Sequence, residues 1–163
     1  MNKKIVPQDF TLSLALFDAL PVIFFGISMI IIGTKFNSSL FIVGSILATF
    51  AGLSKVIWKI IVVKLKKNIW FFFVQMRITM PIGLLMIILS LIIQRNNIDI
   101  QNIFNIIISL PQLIFFIFGI IGMLMMLVFG FTLDDTKKKN NWIEQITNCL
   151  AQFFFLIGII LSI

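Results

Sequence analysis

Residues 103–132 read IFNIIISLPQLIFFIFGIIGMLMMLVFGFT, a stretch without one charged side chain. A helix crosses the hydrocarbon core of a bilayer with about 20 apolar residues, so this run exceeds one crossing. Wholly helical, it would measure about 45 Å. That length predicts either that Ile103–Ile108 lies at the membrane surface or that the helix bends near Pro111. Outward from this run, four more are long enough to span: Thr11–Ile32, Ser39–Val63, Ile69–Ile93 and Trp142–Ile163. None shows the short polar–apolar alternation of a β-barrel. The expected fold is an all-α integral membrane protein, a bundle of five transmembrane helices forming a single domain over residues 1–163.

Composition supports this reading. Of 163 residues, 60% are hydrophobic and 12% charged, whereas soluble domains carry roughly 25% charged residues. The bias towards Phe, Ile, Lys and Asn also fits an AT-rich coding sequence, so part of it reflects base composition and not function. The net charge of +7 comes from basic residues scattered in short loops. That placement suits anionic lipid headgroups and lacks the continuous basic face that nucleic acid needs. With no His and the single cysteine Cys149, haem, iron–sulfur and structural zinc sites are not expected, and no cofactor is predicted. Phosphate-cradling glycine loops, Gly-x-Ser-x-Gly elbows and zinc-binding His motifs are missing from the sequence.

Loop charge predicts orientation. Lys3, Lys4, Lys64, Lys66, Lys67, Lys137, Lys138 and Lys139 would share one side, against Lys35 and Arg95 on the other. By the positive-inside rule the N-terminus is cytoplasmic and the C-terminus opposite, in a prokaryotic plasma membrane. Trp70 and Trp142 stand where interfacial anchors belong. Lys3 and Lys4 resemble the start of a signal peptide, but the following run is too long, contains Asp18 and Pro21 and has no small-residue cleavage site. It reads as a retained helix. The sequon at Asn37 falls in a very short outer loop, too close to the membrane for a glycan.

Polar residues inside the spans carry the functional expectation, because a charge near the bilayer centre costs roughly 2.5–3.5 kcal/mol. Asp18 and Arg77 lie at similar depth from the cytoplasmic side, which makes an Asp18–Arg77 ion pair the natural expectation. Lys55 and Lys59 can snorkel to the headgroups on their long stems, and Glu144 sits near the interface. At helical spacing Gly44, Ala48, Gly52, Lys55 and Lys59 share a face, as do Glu144, Asn148, Ala151, Gln152, Gly158 and Ser162. Asn105, Ser109, Gln112, Gly119, Met126 and Gly130 form a third stripe. Such stripes are either helix–helix seams or the wall of a shallow wet cavity. Pro21, Pro81 and Pro111 are each expected to interrupt a helix.

Three functions are consistent with these residues. The leading one binds or translocates a small solute or ion through a cytoplasm-facing cavity lined by Asp18, Arg77, Glu144, Lys55, Asn148 and Gln152, alone as a homo-oligomer or as a transporter subunit. The second is an accessory subunit that docks a larger membrane partner. The third is a lipid-modifying enzyme using Asp134, Asp135 and Glu144, disfavoured by the missing catalytic motifs and by three lysines that compensate the acidic pair. Partners are thus the lipid bilayer and other membrane chains, with no nucleic acid.

Overall fold

The computed structural model describes residues 11–163 apart from 97, 135 and 136. Lys3 and Lys4 of the loop-charge reading and Asp135 of the acidic pair lie outside the described residues. Among the described residues every regular element is helical. Helices α1 (Leu12–Phe17) and α2 (Ala19–Lys35) form the first span. Their division follows from Pro21, which has no N–H and crowds the carbonyl four residues earlier, that of Phe17. Asp18 at the junction keeps right-handed helical angles, and its N–H still donates to the Leu14 carbonyl at 3.0 Å. The two pieces therefore continue one another.

The turn to α3 (Ser39–Leu65) is only a few residues long. It passes through Asn37 at φ 48°, a left-handed conformation that Asn tolerates better than most residues. Ser38 caps α3 by accepting from the Phe41 N–H at 3.2 Å. Its hydroxyl also shares a 2.5 Å hydrogen bond with Ser90 Oγ near the end of α4 (Trp70–Ile93). Helix α3 stops at Lys66, where the backbone turns left-handed. Pro81 does not interrupt α4, contrary to the expectation. The long fourth run resolves into α5 (Ile100–Ile108) and α6 (Gln112–Thr132), broken just before Pro111, and α7 (Lys138–Leu161) ends the chain. Five spans are long and apolar enough to cross a membrane, so by length and composition the chain is a multi-pass membrane protein.

The lateral arrangement differs from the expected bundle. Extensive packing runs in the order α4–α3–α2–α7–α6, a single row with the first span at its centre and α4 and α6 at its ends. Physical chemistry permits this because lipid tails are as apolar as Leu, so no hydrophobic force draws the outer faces of α4 and α6 together. What joins neighbours is close fit between small and large side chains. At the α3–α4 crossing Gly44 and Gly83 bring the two backbones together: a Cβ on Gly44 would meet the Gly83 carbonyl oxygen at 2.7 Å. Gly52 faces the other way, against Val22 of α2. The predicted Gly44–Ala48–Gly52 seam is thus divided between two neighbours. At the other end of the row Gly119 receives the ring of Phe155, Gly122 abuts Ala151, and Gly158 receives Phe116. Phe17–Trp142 and Phe24–Phe153 ring contacts, at 5.5 and 5.6 Å, fasten the first span to α7.

Candidate functional site

Asp18 sits at the α1–α2 junction about two turns into the first span, and only 7% of it is exposed. A carboxylate on so short a stem cannot reach water from that depth, and it requires a partner. The partner is Lys59 of α3, equally buried, whose Nζ donates to Asp18 Oδ2. Lys55 lies one turn further along the same face of α3, half-buried, and its charge acts on Lys59. Glu144 of α7 is near enough for its charge to act on Lys59 as well. The arrangement is a buried carboxylate–ammonium pair with a second ammonium beside it, near the lysine-rich ends of the first span and α3.

The ion pair expected between Asp18 and Arg77 does not form. Arg77 is exposed on α4, its guanidinium carbon 4.7 Å from the centroid of the Phe73 ring. The row order explains why: α3 stands between α4 and the first span. Lys59, expected to snorkel, takes the place given to Arg77. A signal for this existed in the sequence, since Lys59 precedes the end of its span by about as many residues as Asp18 follows the start of its own. Depth matching alone could not separate Lys59 from Arg77, which lies equally deep.

Of the remaining expected pathway residues, Asn148 and Gln152 lie away from this pair. The face of α7 that carries Glu144, Asn148 and Gln152 is the face that meets α6: Ala151 abuts Gly122, Phe155 fills the space over Gly119, and Gln152 Nε2 lies 3.5 Å from the Met123 sulfur. On the α6 side Gln112 Nε2 donates to the Leu161 carbonyl at 2.8 Å, and Ser109 Oγ donates within its own turn to the Ile106 carbonyl. These stripes act as a helix–helix seam with polar groups as interhelical links. Gly130 stands outside it, with nothing near its missing side chain. Asp134 is exposed and lies 3.8 Å from Lys137, the compensated loop charge expected of it. Groups of three or more metal-ligating side chains are absent among the described residues.

No family model, no curated protein and no solved structure matches this chain. The site must therefore be argued from its own chemistry.

Proposed function

We propose that the chain is a membrane-embedded subunit that forms one wall of a larger assembly. The single-file order of the helices carries this reading. Helices that pack extensively only on their neighbours in this order do not close into a ring, so the spans of one chain do not surround a path across the membrane. Arg77 adds support. It lies exposed on the end helix of the row, well inside a span, where a lone charge is expensive. A carboxylate or carbonyl on an adjoining chain would compensate it.

Mild solubilisation followed by mass measurement tests this. The expected result is a particle heavier than one chain, with Arg77→Gln shifting the population towards the single chain. A single chain in both mild detergent and native-membrane crosslinking would overturn the proposal. An unlike protein in the particle identifies an accessory subunit, and copies of this chain alone identify a homo-oligomer.

A second reading has its own observation in Asp18, Lys59 and Lys55. These residues lie inside their spans and Glu144 acts on Lys59, so the cluster carries both signs of charge. Lys55, outside the Asp18–Lys59 contact, suits an anionic solute or a counter-ion once a second wall closes over it.

The orientation proposed with either reading puts the lysine-rich end in the cytoplasm of a prokaryotic cell. In a Cys149→Ser background, cysteines placed at Lys66 and Lys138 should react only with a reagent that reaches the cytoplasm, and one at Arg95 should react from outside. Outside labelling at Lys138 with inside labelling at Lys66 would reject the five-span topology.

A further inference from the structure

On the side of the helices opposite the lysine-rich loops, α5 packs on α6, and α5 with the ends of α2, α6 and α7 lines an open cavity of ≈ 350 Å³. That volume lies at the lower end of the roughly 300–1,000 Å³ typical of small-molecule clefts. Its walls are almost wholly apolar: Ile103, Ile106 and Ile107 come from α5, Phe116 from α6 and Phe155 from α7. Two polar residues share the lining, Ser162 and Lys35. The Ser162 hydroxyl is committed to the Gly158 carbonyl at 2.6 Å. Lys35, at the last residue of α2, is exposed and is the one charged side chain among these lining residues.

Helix α5 shows which environment the cavity opens into. At 100° per residue Gln101, Asn102 and Asn105 occupy one arc, and every other position is Ile or Phe. Half of the apolar arc closes the cavity. The other half remains outside, with Ile100 74% and Phe104 56% exposed. A short helix with one polar and one bare apolar face lies in the interface plane of a bilayer, its apolar side in the acyl region. The cavity rim therefore continues into lipid and not into water.

We propose that this cavity holds one acyl chain of an anionic phospholipid, with the phosphate at Lys35. Apolar walls select the tail, and the single lysine at the rim selects the sign of the headgroup. The site does not depend on the assembly proposed above, because all its walls come from one chain.

The test uses the full-length protein in nanodiscs of mixed phosphatidylcholine and phosphatidylglycerol, released into mild detergent, with retained lipid read by native mass spectrometry. The protein should retain phosphatidylglycerol beyond its share of the bilayer. Lys35→Gln, a change at an exposed position, should reduce that excess about five-fold, the size of one lysine's attraction to an anionic surface, and Lys35→Arg should preserve it. Ile107→Trp fills the cavity from the α5 side and should abolish retention of both lipids while helix content stays unchanged; Ile103→Phe replaces it where Trp prevents folding. Equal retention of the two lipids by the unaltered protein overturns the proposal. So does an excess that survives Lys35→Gln, or full retention in a folded cavity-filling variant. A dimer mass lost with the same substitutions would assign the cavity to a second copy instead, and would equally overturn it.

Discussion

Lys59→Met should be among the most damaging single substitutions in this chain. Removing one partner of a buried ion pair typically costs about 3–5 kcal/mol, because the other charge is left uncompensated. Here the two partners are not equivalent. Lys59→Met strands the Asp18 carboxylate at 7% exposure on a stem too short to reach the headgroups. Asp18→Asn strands Lys59, whose four-carbon stem can carry the ammonium towards the interface, so its loss should be smaller. The double variant Asp18→Asn/Lys59→Met should recover most of the stability, since paired apolar or neutral replacements of a buried ion pair are often neutral. Unfolding of purified protein in micelles, arranged as a double-mutant cycle, measures the coupling directly. Additive losses would show that the pair contributes nothing as a pair.

That experiment also separates structure from function at the site. If the pair serves only to hold the first span against α3, the double variant should behave like the unaltered protein in every assembly assay. If Lys59 itself contacts an anion, the refolded double variant keeps its mass and loses that response. If Lys55 alone does, the response survives, because removing the charges of Asp18 and Lys59 together leaves the excess charge unchanged. Lys55→Met then becomes the informative single change. It removes the second ammonium without breaking the Asp18–Lys59 contact.

Much of this was legible in the sequence, and what was not has a definite cause. Spans can be counted because a bilayer demands about 20 consecutive apolar residues and a closed backbone hydrogen-bond ladder. The predicted Thr11–Ile32 and Ile69–Ile93 accordingly agree with Leu12–Lys35 and Trp70–Ile93 to within a turn. The break between α5 and α6 was legible from excess length and Pro111. The lateral order of the helices was not. Depth along the membrane normal can be read from residue numbers, and it makes Asp18, Lys59 and Arg77 equals. Which helix stands next to which is decided by fits such as Gly83 against Gly44 or Phe155 over Gly119, and these involve partners far apart in sequence. The stripe on α7 was visible as a stripe, but its spacing could not say that it would meet α6 and not the first span. Lys59 was missed because a lysine near a span end always has snorkelling available as an explanation.

The α3–α4 crossing gives the other large expected effect, and it tests the glycine argument against helix propensity. Alanine is the better helix former by roughly 0.5–1 kcal/mol, so a glycine-to-alanine change in a roomy helix should stabilise. Gly130→Ala is that case, because nothing lies within 4 Å of the added methyl. Gly83→Ala is the opposite case. Its Cβ would lie 2.7 Å from the Gly44 carbonyl oxygen and 2.8 Å from the Ala48 nitrogen. Both obstacles are backbone atoms of a helix, which cannot rotate aside as a side chain can. The helices must separate, and separation loosens the Ser38–Ser90 hydrogen bond at one end of the pair and the Trp58–Phe73 ring contact, at 5.1 Å, towards the other. Overpacking of this kind costs about 1–3 kcal/mol, enough to exceed the propensity gain. Gly44→Ala should behave similarly, since the Gly83 carbonyl oxygen is again the nearest atom. Gly52→Ala should cost less, because its close neighbour is the end of the Val22 side chain. Thermal unfolding in micelles should therefore place Gly83→Ala and Gly44→Ala lowest, Gly52→Ala between, and Gly130→Ala at or above the unaltered protein. Equal midpoints for Gly83→Ala and Gly130→Ala would mean that the backbones of α3 and α4 do not meet where these glycines place them.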